Sequence, residues 1–201
     1  MKPSTHKDIA RVIFQKYEIR PSSESVNILT DILELHNIKY RTLIQQPGDL
    51  VSRFYYIERG LVRVFHTDPT NNTDIVDDFF KEKDMLITAD LFTENAAKLS
   101  VNTIEPTFAF AFSYASLQRL ALENRDFNNL LCAILGEYIL HKEEYINLLS
   151  LPLQDRYKTM SRKYGTIIWR SPSKSIASYL KMRSETLSRI RTSLNNEDSN
   201  S

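Results

Sequence analysis

The stretch Ser173–Arg191 combines side chains able to read duplex DNA with the spacing that would position them. Ile176, Ala177 and Leu180 are spaced for the inner face of one short helix, and Leu187, Ile190 and Leu194 for that of a second. Lys181-Met182-Arg183 leaves room for a tight turn between them, which is the pattern of a helix-turn-helix. On the second helix Ser184, Glu185, Ser188 and Arg189 share one outer side. Arg189 can pair bidentately with guanine, and Glu185 can accept from cytosine N4. Glutamate repels phosphate, so Glu185 adds specificity rather than affinity; it equally suits the positive end of a helix dipole, and both roles stay open. Lys174, Arg183 and Thr186 are placed for phosphates, where they would set register rather than read sequence.

Charge supports the same partner. Residues 152–194 hold ten Lys or Arg against Asp155 and Glu185, a net charge of +8, in a chain whose formal net charge is +1, so the remainder carries −7. A basic segment on an acidic body suits a phosphate-rich partner, although a solvated basic surface would look alike without the motif inside it. With 42% hydrophobic and 25% charged residues the composition is that of an ordinary globular protein. The single cysteine, Cys132, excludes an internal disulfide and a Cys-rich zinc or iron–sulfur site within one chain. No apolar run reaches membrane-spanning length and Met1–Tyr17 lacks a signal-peptide pattern, so a cytoplasmic location with no membrane partner is expected.

The elements that must position the basic motif are read from periodicity. Lys7–Tyr17 and Ser23–His36 are predicted as two helices separated by Pro21. From Tyr40 to Phe112 the character is β: Phe54–Ile57 and Leu61–Phe65 flank Gly60, and Ile75–Phe80 and Phe108–Phe112 are further strands. Between Ser116 and Leu149 the pattern is helical. There Phe127, Leu131, Ile134, Tyr138, His141, Tyr145 and Leu148 recur at spacings of three and four until Pro152 ends the run. Such a seam packs on its own domain, on the same helix of a second chain, or on both. The polar end, Asn195–Ser201, is expected to be a disordered tail.

Two motifs in this order resemble the cAMP-receptor-protein/Fnr (Crp/Fnr) family of bacterial regulators. One is Ile176–Arg191, with its Glu-Thr-x-x-Arg core at Glu185–Arg189. The other is Pro47–Phe65, which is similar to the family's β-roll signature. The resemblance implies an α+β fold: a cyclic-nucleotide-binding-like β-roll sensor domain over residues 1–115, a dimerisation helix over 116–150, and a winged helix-turn-helix over 151–194. It implies a homodimer paired along the Phe127–Leu148 seam and bound to a near-palindromic duplex. RNA polymerase and an unidentified small-molecule effector are its further expected partners. By position, Ser184, Glu185 and Arg189 match the family's base contacts, and Lys174, Arg183 and Thr186 its phosphate contacts.

Three departures qualify that picture. The turn glycine of the family is Lys181 here, where a positive φ would cost about 1 kcal/mol, so a slightly different turn is expected. Little sequence follows the second helix, so a wing is expected to be short or absent. The stretch equivalent to the family's nucleotide-phosphate site, 86–101, has neither glycine nor arginine. Ala96-Ala97 stands in place of the Arg pair, Lys98 is the one cation, and Asp90 and Glu94 are the acids. Weak or no cAMP binding is therefore expected, and no resident cofactor. An axial haem ligand could come from His66 or His141, but an isolated histidine is more often structural.

Two other classes compete with a DNA-binding regulator. A small-molecule sensor module with degenerate DNA binding is disfavoured by Glu185, Arg189 and the +8 segment. An enzyme is disfavoured because the four histidines, His6, His36, His66 and His141, stand singly. No catalytic residue or metal ligand is predicted from spacing, and no Gly-rich phosphate loop occurs.

Overall fold

The computed structural model describes residues 4–93 and 95–199. In chain order the elements are α1 (His6–Lys16), α2 (Ser23–Ile32), β1 (Glu34–Ile38), β2 (Leu43–Gln45), β3 (Arg53–Arg59), β4 (Val62–Asp68), β5 (Thr73–Phe80) and β6 (Met85–Leu86). There follow α3 (Asp90–Thr93), β7 (Ser100–Thr103), β8 (Thr107–Ser113), α4 (Tyr114–Glu123), α5 (Arg125–Ser150), α6 (Leu153–Arg170), α7 (Ser173–Tyr179) and α8 (Ser184–Ser199). Among the described residues no helix is long and apolar enough to cross a membrane. The chain forms two compact units: one from Met1–Val62 with Phe80–Leu140, the other from Arg63–Phe79 with His141–Ser201.

In the first unit an antiparallel sheet of order β1-β8-β3-β6 turns one face to the interior. The register pairs Leu35 with Phe110, and Phe54 with Phe112. Phe54, Phe110 and Phe112 are fully buried, and Phe54 stacks on Phe112 at 5.0 Å. Helix α1 opens on a capping box in which Thr5 and Asp8 satisfy each other's backbone N–H groups. Its face Ile9, Ala10, Ile13 and Phe14 joins the same core, where Phe14 meets Phe127 of α5 edge-on at 5.7 Å. Strand β2 pairs with β7.

The tight β3–β4 connection depends on Gly60, whose φ of +125° is closed to side chains. A Cβ there would lie 2.4 Å from Thr107 Oγ1 and 2.7 Å from Thr107 Cα.

Three expectations from periodicity are corrected. The helix expected to reach His36 ends at Ile32, and Glu34–Ile38 is instead an edge strand on β8. Pairing with a long buried strand outweighs local helical spacing there. The helical stretch after Ser116 is two helices: Asn124 is extended and ends α4, and its side chain accepts from Asp126 N–H (2.8 Å) to start α5. The expected disordered tail is helical to Ser199; Asn200 and Ser201 lie outside the described residues.

In the second unit β4 and β5 form a hairpin whose turn is closed by side chains: Asp68 accepts from Thr70 N–H (2.8 Å), and Asn71 from Thr73 N–H (3.0 Å). Arg63 pairs with Asp74 (2.7 Å) and His66 with Asp77 (2.6 Å). The rest of the unit is the end of α5 with α6, α7 and α8. Helix α6 kinks at Tyr164 (φ −129°, ψ 33°).

Candidate nucleic-acid interface

Helices α7 and α8 meet through the apolar positions expected from sequence. Ile176, Ala177, Leu180 and Leu187 are buried; Ile190 and Leu194 are half-buried. The turn is a Schellman motif. Lys181 N–H donates to Ser178 O (3.0 Å) and Met182 N–H to Ala177 O (3.0 Å), with Lys181 itself left-handed at φ +51°. The lysine thus keeps the geometry of a glycine turn and carries its strain.

On α8, Ser184, Glu185, Ser188 and Arg189 are all exposed, so the four side chains assigned to base edges form an open face. Glu185 lies in the first turn, consistent with either role set out for it. Lys174 and Arg183 are exposed beside them, and Thr186 is half-buried. No strand follows α8 among the described residues.

Other basic residues hold the motif together instead of facing a ligand. Arg156 donates from Nε to Leu151 O (2.8 Å) and from Nη1 to Leu180 O (3.0 Å), placing a cation at the C-terminus of α7. Arg191 donates to Ser173 Oγ (2.8 Å) and lies 5.6 Å from the Tyr157 ring centroid, joining α8 to α7 and α6. Lys163 pairs with Glu144. Part of the +8 charge is therefore internal scaffolding, which a count of charges could not separate from ligand contacts.

The seam on α5 serves its own chain. Phe127, Ile134 and Leu148 are buried within the protomer, and Leu131 and Tyr138 pack against its core. His141 bonds to Asp78 (2.8 Å), and Tyr145 donates to Tyr179 O (2.9 Å) while stacking on the Tyr179 ring at 4.7 Å. Phe127, Ile134 and Leu148 have little surface left for a second chain, whereas Leu131, Tyr138, His141 and Tyr145 are half-buried. Another face of α5 carries exposed Cys132, half-buried Leu135, and exposed Ile139 and Ile146, at successive spacings of three, four and seven, with Leu140 also exposed beside them. Ile139 is 57% exposed and Ile146 66%. Both stripes have heptad-like spacing; only the fold tells which one is covered.

Sequence reasoning missed Asp78. It sits at an inward position of β5 with its side chain 3% exposed, and accepts from His141 Nε2 and Lys142 Nζ, each at 2.8 Å. Burial pushes its pKa up, but the hydrogen bond and charge of His141 and the charge of Lys142 outweigh that and hold it below the usual carboxylate range. An acid at an inward strand position was the available signal.

In the first unit a 330 Å³ cavity is lined by Leu50, Val51, Arg53, Tyr55, Leu86 and Thr88, among others. Arg53 is engaged by Glu34 at 2.5 Å, and Thr88 Oγ1 is buried with no hydrogen-bond partner. The loop expected to replace the nucleotide-phosphate site has its own partners. Asp90 is buried and accepts from Lys98 N–H (3.1 Å), and Ala97 N–H donates to Asp49 O (2.8 Å). Ala96 is exposed and bridges to Leu50; Glu94 lies outside the described residues.

The cyclic nucleotide-binding domain family model matches residues 35–124. No curated protein matches the chain by sequence. Among solved structures, FixK2 from Bradyrhizobium japonicum superposes with a TM-score of 0.70 at 16% identity, covering 83% of this chain and 86% of that one. CLP from Xanthomonas campestris, described as a c-di-GMP-responsive global regulator, gives 0.64 at 18% identity, with 88% and 93% covered. A chain from Eubacterium rectale described as a Crp/Fnr-family transcriptional regulator gives 0.67 at 12% identity, with 88% and 85% covered. Identities this low establish the fold. Residues 35–124 thus match the cyclic nucleotide-binding domain family model, and the chain shares the fold of FixK2 and of the Crp/Fnr-family structure from Eubacterium rectale.

Proposed function

We propose that the protein is a sequence-specific, non-enzymatic transcription regulator that binds a near-palindromic duplex as a homodimer. The observation that carries this reading is the open face Ser184, Glu185, Ser188 and Arg189 on α8, flanked by exposed Lys174 and Arg183. Helix α8 is held by a capped turn and by Arg191, so that face presents base-reading groups on a rigid element. A sensor module with decayed DNA binding would not need these groups kept together and uncovered. Two chains pairing along Cys132, Leu135, Ile139 and Ile146 would place their α8 helices in successive major grooves about 34 Å apart. Selection of bound sequences from a random duplex pool at fixed salt tests the reading. Enrichment of two inverted half-sites one helical turn apart is the expected result, and salt-sensitive binding with no enriched motif overturns it.

Side-chain roles give a sharper check. Arg189→Ala is expected to cost about 1–3 kcal/mol at one base pair and to relax preference there. Lys174→Ala should weaken all duplexes alike and reduce the salt slope by about 1. Equal weakening of every sequence by Arg189→Ala, in a competition assay over single-base variants, would remove the base-reading assignment.

The β-roll is proposed to act without a cyclic nucleotide or other resident cofactor, with any effector a small molecule of another kind. Lys98 N–H already faces the buried Asp90 carboxylate, which would repel a phosphate, and Ala97 N–H is engaged by Asp49 O. Calorimetry with cAMP should give no saturable heat at millimolar ligand, and a one-site isotherm would sink this part of the reading.

A further inference from the structure

The β4–β5 hairpin belongs to the same compact unit as the helix-turn-helix, and it touches both sides of that unit. Toward α7, Val76 N–H donates to Ser178 Oγ (2.9 Å), and the Phe79 ring meets the Tyr179 ring edge-on at 5.3 Å. At the turn, Asp77 lies 3.9 Å from Lys181 Nζ. Toward α5, Asp78 is fixed by both carboxylate oxygens: Oδ1 accepts from His141 Nε2 and from Phe79 N–H, and Oδ2 accepts from Lys142 Nζ.

A buried carboxylate with partners on each oxygen is a directional anchor. Sliding the strand by one residue would turn Asp78 to the opposite face and take its carboxylate away from His141 and Lys142. The hairpin is therefore pinned to α5 at one point and to α7 at two others. Ile146, on the exposed apolar face of α5, lies about one turn beyond Lys142. If α5 pairs with its counterpart along that face, the seat of each α7–α8 pair on α5 sets the distance between the two recognition helices.

We propose that Asp78 is a positioning residue for DNA reading: through it the hairpin fixes the helix-turn-helix on α5 and so sets the half-site spacing that the dimer accepts. The inference rests on the DNA-reading function proposed above. It concerns which spacing is accepted, not which bases are read, because the α8 face stays open while the hairpin is engaged.

The test uses the full chain and duplexes carrying the selected half-sites at the selected spacing, at spacings one and two base pairs longer and shorter, and a single half-site, all at one salt concentration. The unaltered protein is expected to prefer its own spacing by about tenfold or more. Asp78→Ala and the isosteric Asp78→Asn should reduce that preference to about threefold or less, with single-half-site affinity within about twofold, since the Tyr145–Tyr179 contact still attaches the head. Variants that keep the original spacing preference would overturn the inference. Should Asp78→Ala lose single-half-site binding through misfolding, Asp78→Asn and Ser178→Ala decide on the same ratio. If the unaltered protein selects no paired half-sites, the DNA-reading function fails and this inference with it. If it selects them and the variants discriminate as well as it does, the positioning role alone fails.

Discussion

Replacing Ile139 and Ile146 together by glutamate is expected to leave a folded monomer whose affinity for a paired DNA site is lower by about 10²–10⁴-fold. Both side chains are more than half exposed on α5 and lie outside the protomer's core, so the change should cost the isolated chain little. A two-fold axis would bring each position close to its own copy, so two substitutions place four carboxylates in one apolar seam. The lost burial is worth about 1.5–3 kcal/mol for each isoleucine, and like-charge repulsion adds to it. Once the dimer is broken, binding of the second half-site is no longer intramolecular, and paired-site affinity falls to that of a single head. Sedimentation equilibrium and fluorescence anisotropy on one- and two-half-site duplexes check this together. A dimer that survives the double substitution would place the interface elsewhere. The same pair of changes at Phe127 and Ile134 should unfold the first unit instead, because those side chains are fully buried in its core.

Gly60→Ala is expected to lower stability by about 3–5 kcal/mol, a fall in melting temperature of roughly 10 °C, read by calorimetry. Two costs add. A φ of +125° is closed to residues with a Cβ, which contributes about 1–3 kcal/mol. The new methyl would also fall 2.7 Å from the Cα of Thr107, which heads β8, and backbone in a paired strand cannot move aside as a flexible side chain would. Gly48 supplies the control. Its φ is +96°, but a Cβ there meets nothing within 4 Å, so Gly48→Ala should carry only the conformational cost. Equal losses at the two positions would mean that the overlap at Thr107 relaxes freely.

What could be read from sequence were the features generated by residues close together in the chain. The helix-turn-helix was legible because its inner face, turn and outer face all lie within Ser173–Leu194, and the strands around Gly60 were legible from alternation beside a turn signal. The left-handed Lys181 was not read from the sequence, where lysine in place of glycine suggested a slightly different turn; the hydrogen bonds that close the end of α7 impose the conformation whatever residue occupies it.

Tertiary structure decided what depends on partners distant in sequence. Glu34–Ile38 became a strand because β8, more than seventy residues later, supplied its hydrogen bonds. Two apolar stripes of similar spacing run along α5, and periodicity cannot say which is covered; packing against α1 and the sheet buried Phe127 and Ile134 and left Ile139 and Ile146 outside. Asp78 meets His141 and Lys142 across some sixty residues, so no local pattern linked the β4–β5 hairpin to the helix-turn-helix. Sequence by itself determined which side chains share the outer face of α8, because a helix face is a property of its own spacing. Only the folded chain determined what holds that face in place, because burial and charge pairing exist only after distant segments meet.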